Sequence, residues 1–345
     1  MTAEQKRLIE DKDKIKNWRK FGPYLTERQW GTVREDYSKY GNAWEYVSHD
    51  AARSKAYRWG EEGIGGISDD NQLVCFSLGL WNKKDPIIKE RIFGLTGNEG
   101  NHAEDCKEEY YFIDSTPTHS YMKMLYKYPQ QEFPYTWLVQ ENKRRGKLDR
   151  EFELIDTKIF NENKYFDVFI EYAKADEEDL LIKISIYNRG TEAASLNVLP
   201  QIWFRNTWAW GYDNYKPELC FDDDNIILVK HHDLGDYYFF YEGNGDPLFC
   251  ENETNIGRLY NSLTSGTFKD GINDYLVANN KDAVNTIKSG TKAAINYEVK
   301  IPGLKSKSIS LRLSKKFYTD PFKDFKTIFK QRVDEADEFY SDLQK

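Results

Sequence analysis

The sequence predicts a mainly β fold, an antiparallel sandwich or barrel with a short N-terminal helix and a C-terminal helix. Three observations carry that expectation. Aromatic residues make up 15% of the chain, with 24 Tyr, 20 Phe and 9 Trp, and such side chains suit a pleated, half-buried surface. From residue 152 onward, apolar runs alternate with turn signals at about 8–12-residue spacing, as in sandwiches and barrels rather than βαβ units. The last stretch changes to apolar residues at threes and fours, the period of a helix.

Taken in order, residues 1–20 read as a short charged helix ended by Gly22 and Pro23. Residues 21–150 are rich in Gly, Trp, Tyr and acid–amide turns, and read as loops with a few strands, such as LVCFSLGLW from Leu73. The polar run QENKRRGKLDRE, residues 140–151, reads as an exposed connection. Regular strands fill 152–318. In LLIKISIYNRG, Ile182, Ile184 and Ile186 fall on one face, and Asn188, Arg189 and Gly190 supply the turn. FDVFIEYAKA, ASLNVLPQIWF, NIILVKHH, DYYFFYEG, AAINYEVKI and KSISLRLSKKF continue in the same style. The final element, 319–345, has Asp320 placed as an N-cap and Pro321 at the first helical position. Its apolar stripe runs through Phe322, Phe325, Ile328, Phe329, Val333, Ala336, Phe339, Tyr340 and Leu343. Such a helix either docks on its own sandwich or leads into a neighbouring segment.

At 345 residues with 39% hydrophobic content, the chain can build a sizeable core as one large domain or two smaller ones. A net charge of −8 argues against nucleic acid and acidic membranes, where affinity comes largely from Lys and Arg. Cys75, Cys106, Cys220 and Cys250 form no CxxC pair, so neither a zinc site nor a disulfide framework is expected. The charged N-terminus lacks the apolar core of a secretory signal. No run of about 18 apolar residues suggests a membrane span. The expectation is a reduced cytoplasmic protein with no cofactor and no metal, in which the Asn252–Thr254 sequon is accidental.

The clusters that could carry chemistry are few. ERQWGTVREDYS, residues 27–38, mixes Trp30 with Arg34, Glu35, Asp36 and Tyr37. A sugar ring offers an apolar face to an aromatic and hydroxyls to Arg or carboxylate, so these five are candidate substrate contacts. In GLTGNEGNHAEDC, Asn101, His102, Glu104 and Asp105 join them as a polar loop reaching into a cleft. The same loop carries Asn98 and Glu99, and no metal-binding register is present. Asp114, Ser115 and His119 stand close in sequence, but no GxSxG elbow accompanies them. WFRNTWAWG offers Trp203, Trp208 and Trp210 as a stacking platform or as inter-sheet packing. The acids at 61–62 and 69–70 cannot be ranked from sequence, and His231 and His232 have no visible partner.

Read in series, ERQWGTVREDYS, AYRWGEEGIGGISDD, LWNKKDPIIKERIFGLTGNEGNHAEDCKEEYYFIDSTPTHSYMK, FDVFIEYAKADEEDLLIKISIYNRG and PQIWFRNTWAWG resemble the N-terminal portion of microbial glucosidase-type proteins of glycoside hydrolase family 63. That family includes the processing α-glucosidase I, whose WGTYRP-type segment is echoed by Trp30, Gly31, Thr32, Val33 and Arg34, with Glu35 in place of proline. The resemblance covers essentially the whole chain. It implies an antiparallel super-β-sandwich over 21–318 and a linker helix over 319–345 leading to an (α/α)6 barrel absent from this chain. It also implies that the barrel holds the two carboxylates of an inverting α-glycosidase, about 6.5–9.5 Å apart. No residue here matches the catalytic motifs, so none is assigned. The implied role is to support the barrel and shape its pocket, with an oligosaccharide or small α-glycoside at the interface. The alternative is a free-standing carbohydrate-binding module, and a third reading is a structural sandwich that associates through its final helix.

Overall fold

The structure is a computed structural model describing residues 1–25, 47–57, 60–95, 99–101, 105–212, 214–222 and 225–344. In chain order its strands begin with β1 (Phe21–Tyr24), β2 (Ile64–Asp69), β3 (Val74–Trp81), β4 (Gly94–Leu95), β5 (Asp105–Cys106), β6 (Tyr110–Ser115), β7 (Tyr121–Pro129) and β8 (Tyr165–Asp176). They continue with β9 (Asp179–Asn188), β10 (Ala194–Phe204), β11 (Glu218–Asp222), β12 (Ile226–Lys230), β13 (Tyr237–Tyr241), β14 (Asp246–Cys250), β15 (Ser289–Gly290), β16 (Lys292–Ile301) and β17 (Ser306–Ser314).

Two antiparallel sheets result. One has six strands in the order β1-β2-β3-β10-β16-β14, the other nine in the order β15-β11-β12-β13-β17-β9-β8-β7-β6. The expected β-sandwich is thus present. Alternation explains it: Ile182, Ile184 and Ile186 all enter the core beside Met122, Met124, Val168 and Ile170, and meet Phe76, Leu78, Val198 and Ile202 of the six-stranded sheet. Each such side chain contributes about 1.5–3 kcal/mol by leaving water. Between the sheets, Gly65 has φ +60° and leaves only about 3.0 Å between a hypothetical Cβ and Ile170. Its carbonyl accepts the buried Tyr172 hydroxyl. A side chain there would meet both strain and a clash.

The helical elements depart from expectation in detail. The N-terminal helix spans only Ala3–Lys12, closed at its start by a capping box between Thr2 and Gln5. Gly22 and Pro23 do not end it; they lie in β1. The polar run at 140–151 is partly helical, because Tyr135–Arg144 forms a helix that buries Leu138 and Asn142. Asn142 donates to the Phe152 carbonyl at 2.8 Å and accepts from Phe152 N–H at 2.8 Å, which fixes the connection that follows.

The last helix begins at Phe325, not at Pro321, and runs to Leu343. Its stripe is covered by its own domain: Phe325, Phe329 and Ala336 pack on Tyr121, Ala173 and Leu181, the outer face of the nine-stranded sheet, with Phe322, Ile328 and Val333 alongside. Phe339 is buried and Tyr340 donates to the Ser115 carbonyl at 2.7 Å, while Leu343 is exposed. The central stripe therefore packs on its own sandwich, with Phe322, Ile328 and Val333 partly buried there. No helix among the described residues is long and apolar enough to cross a membrane. All four cysteines are free thiols.

Candidate functional site

The outer face of the six-stranded sheet carries a second, irregular layer. Ile88 and Ile272 pack there on Leu199, Leu248 and Ala294. The segment after β3 is pinned by short polar contacts. Asn82 Oδ1 accepts the N–H groups of Lys84 and Asp85, each at 2.9 Å, and its amide donates to the Pro129 and Gln131 carbonyls. Asp85 accepts the Phe133 N–H at 2.6 Å and the Tyr128 hydroxyl. Ile88 N–H donates to Asn273 Oδ1 at 2.9 Å. These bonds hold residues 82–85 against 128–133 and Ile88 against Asn273.

Between them and the short helix His49–Ala52 opens a cleft of about 460 Å³, lined by Ser48, His49, Asp50, Arg53, Asp85, Lys89, Glu99, Glu132, Phe133 and Tyr135 among others. The His49 ring lies 4.1 Å from that of Tyr135 and 5.0 Å from that of Phe93. The Tyr135 hydroxyl donates to Glu99 Oε1 at 3.2 Å, and Arg53 pairs with Asp50 at 2.9 Å. Lys89 sits 4.1 Å over the Phe133 ring and 2.5 Å from Glu108. Burial pushes the Glu108 carboxyl upward, against the pull of Lys89. Ring faces, carboxylate acceptors and cationic donors in one cleft of this size suit a small polyhydroxylated ligand.

Nearby, on the outward face of β3, β10 and β16, a buried charge cluster surrounds a cavity of about 20 Å³. Arg91 donates to Glu62 and to Glu90, each at 2.8 Å. Glu90 also accepts from Gln201 at 3.1 Å and Lys292 at 3.3 Å. Lys269 donates to the Lys55 carbonyl at 2.8 Å and stands 3.8 Å over the Tyr57 ring. Asn252 donates to Glu61 at 3.2 Å and to the Phe204 carbonyl at 2.9 Å. Burial works against the charge of Glu90, yet Lys292 and Arg91 hold its pKa down at about 2. At Glu61 burial outweighs Lys269 and lifts the carboxyl to about 7; burial and Arg91 lower Lys269 to about 8.

Of the residues singled out from sequence, Trp30, Arg34, Glu35, Asp36, Tyr37, His102 and Glu104 lie outside the described residues. Asp105 is placed by its backbone opposite Leu95. Asn101 is buried and donates to the Gly146 and Asp149 carbonyls at 3.2 and 3.1 Å, a loop-fixing role. Glu99 of the same loop does line the cleft. His119 lies in the tight turn after β6, with Nδ1 buried and unpartnered among the described residues; burial and Lys174 lower it to about 4. Ser115 accepts Tyr340 through its carbonyl.

Trp203 lines the charge cluster rather than the sandwich interior, and Trp208 donates to Glu253 at 3.0 Å. The two histidines do have partners: His232 pairs with Asp233 at 2.9 Å and stacks 3.7 Å from Tyr215. His231 Nδ1 accepts the N–H groups of Asp233 and Leu234. The ligand atoms of His231, His232 and Asp233 come within 4.8 Å of one another, but a neutral imidazole accepting at Nδ1 has its proton on Nε2 and no lone pair left for a metal. Asn252 of the sequon is fully buried, out of reach of glycosylation in the fold.

Sequence reasoning missed His49, Arg53, Lys89, Phe133 and Tyr135. For Phe133 and Tyr135 the local signal is aromatic residues beside Pro and acid in QEFPYTW.

No protein-family profile matches the chain. It is 40% identical over 391 aligned positions to the uncharacterized protein YMR196W of Saccharomyces cerevisiae, covering 98% of this chain and 36% of that protein. The chain thus spans about a third of the length of this relative. Two solved structures give weaker likenesses. A chain described as a kojibiose phosphorylase from the human microbiome aligns with TM-score 0.33 at 11% identity, over 77% of this chain and 27% of its own. A heparinase III gene product aligns with TM-score 0.28 at 10% identity, over 60% and 21%. At such scores neither carries an argument about fold or activity.

Proposed function

We propose that this chain is the N-terminal β-sandwich part of an inverting α-glycosidase of the family 63 type, in which residues 21–318 support a catalytic barrel and residues 319–345 lead toward it. The observation that carries the reading is the cleft in which His49, Phe133 and Tyr135 present ring faces beside Glu99, Asp50 and Arg53. The motif resemblance across the chain supports the family, and the much greater length of the yeast relative is compatible with a second domain. In this reading the barrel supplies the general acid and the water-activating base, while the cleft holds part of the sugar.

The test is calorimetric titration of the 345-residue chain with α-gluco-oligosaccharides, beside a hydrolysis assay. Binding without turnover is expected. Absence of heat with every α-glucoside removes the cleft's role, and turnover abolished by one carboxylate substitution in this chain would relocate catalysis to it. A free-standing carbohydrate-binding module is favoured by one observation, the packing of Phe325, Phe329 and Ala336 of the last helix on its own sheet. Coupled expression with a downstream barrel separates the two: a module leaves barrel activity unchanged when removed.

A further inference from the structure

We propose that the outward face of the last helix is a self-complementary docking surface, on which a second copy of this chain lies antiparallel about a two-fold axis at Asp334. The inference is independent of the cleft's ligand. The inward face of the helix packs on the nine-stranded sheet through Phe325, Phe329 and Ala336. Its outward face is charged, and the charges are sorted. Lys326, Lys330, Asp334, Glu338 and Asp342 recur every four residues, and all five are exposed. The two bases occupy the first half of the helix and the three acids the second.

That order is unfavourable for a helix by itself. Negative charge is stabilising near a helix N-terminus and positive charge near its C-terminus, but the first turn of this helix holds no acid and its last turn no base. Side chains four apart are neighbours on a helix, and like charges there repel. Lys326 with Lys330, Asp334 with Glu338, and Glu338 with Asp342 are all like pairs, whereas Lys330 pairs with Asp334. Asp342 also accepts from Gln5 of the N-terminal helix at 3.3 Å, and Glu335 beside the row is engaged by Arg7 and Arg332.

An antiparallel second copy reverses each of these effects. Lys326 and Asp342 are equally far from Asp334, as are Lys330 and Glu338. A two-fold axis at Asp334 therefore sets Lys326 opposite Asp342 of the second copy, and Lys330 opposite its Glu338. Each pair occurs twice, as an isologous contact requires. The helix ends agree as well, because Lys326 then stands at the negative C-terminal end of the other helix and Asp342 at its positive N-terminal end. The two Asp334 side chains meet on the axis, each held by its own Lys330. A parallel copy would oppose base to base and acid to acid. A nucleic acid or an anionic membrane would meet the acidic half and be repelled. Exposed ion pairs are individually weak, so the contact is sensitive to salt and to protein concentration.

The test is sedimentation velocity of the 345-residue chain over a range of concentrations, in about 0.01 M and about 1 M salt, between which the Debye length falls from roughly 30 Å to roughly 3 Å. A species of twice the chain's mass is expected at low salt, and its loss at high salt. Two double variants then swap the charges, Lys326→Glu with Lys330→Glu in one and Glu338→Lys with Asp342→Lys in the other. Each should weaken self-association by roughly tenfold or more. An equimolar mixture of the two should restore it, since acid again faces base. Both variants place charge as the helix dipole favours, and circular dichroism should report an unchanged fold. A chain that stays monomeric at low salt, a dimer indifferent to salt or to both variants, or a mixture that fails to associate would each overturn the proposal. Should one variant not fold, the salt dependence of the parent and the other variant decide the question.

Discussion

Arg312 and Asp179 form a bidentate pair, with Nε and Nη2 donating to the two carboxylate oxygens at 2.7 and 2.6 Å. The guanidinium is almost wholly enclosed. Its remaining nitrogen reaches the Pro321 carbonyl and Asp324 Oδ1, both at 2.8 Å, and its plane lies 3.8 Å from the Tyr318 ring. One side chain on β17 therefore decides where the last helix starts. Burial alone would weaken the charge on Arg312, but Asp179 reverses that and holds its pKa above the usual value.

Replacing Arg312 by Met should destabilise the chain by about 3–5 kcal/mol, because a buried carboxylate is left unpaired. Urea denaturation measures the loss, and hydrogen exchange should show earlier opening of residues 325–343. Adding Asp179→Asn should recover part of the stability. If the single variant unfolds at the same urea concentration as the parent, the pair does not organise this end of the fold.

That pair also shows why the sequence misplaced the helix start. Asp320 and Pro321 carry the local signal of a cap, yet Arg312 draws the Pro321 carbonyl and the Asp324 carboxylate into a turn first. Strands are legible in the sequence where burial follows a period of two, as at Ile182, Ile184 and Ile186. The layer over the six-stranded sheet was invisible for the opposite reason. Glu61, Glu90, Lys269 and Lys292 are residue types that read as surface, and they are buried here only because they meet one another across more than 200 residues of sequence. The helix Tyr135–Arg144 is not legible in the sequence because its last turn is entirely polar, and only Leu138 and Asn142 are buried in it.

The charge cluster predicts a pH dependence. Glu61 titrates at about 7 in the fold against its ordinary 4.5, so the folded chain binds the extra proton between those values and stability falls as pH rises through that window. Lys269 is lowered from 10.5 to about 8, so the unfolded chain binds more protons between pH 8 and 10.5 and stability rises there. A trough between about pH 7 and 8, on the order of 1–3 kcal/mol deep, is expected. Glu61→Gln should abolish the decline between pH 4.5 and 7. Melting temperatures that decline as steeply in that variant would remove Glu61 as the source.

Lys174 ties the start of the chain to the nine-stranded sheet. Its amine donates to the carbonyls of Trp18, Phe21 and Thr118. Burial pushes it down to about 7, with Glu4 and Asp11 opposing, but three acceptors at once call for the three hydrogens of the ammonium form. Lys174→Met keeps the volume and orphans three carbonyls, for a loss of about 3 kcal/mol or more. Limited proteolysis should then cut within residues 14–24 first. Cleavage elsewhere, with 14–24 still protected, would contradict this anchoring.

The cleft makes the sharpest functional prediction, because Tyr135 has separable parts. Its ring pairs with His49 at 4.1 Å and its hydroxyl donates to Glu99 at 3.2 Å. If the ring carries a sugar face, Tyr135→Ala should weaken oligosaccharide binding by about 1–3 kcal/mol, the scale of a buried aromatic anchor. Tyr135→Phe keeps the ring and drops one hydrogen bond, for a smaller loss of about 1 kcal/mol. Both substitutions lie at the start of a helix held by Leu138 and Asn142, so circular dichroism should report an unchanged fold. Equal losses for the two variants would mean that the hydroxyl and Glu99 govern recognition, and no loss for either would place the ligand elsewhere.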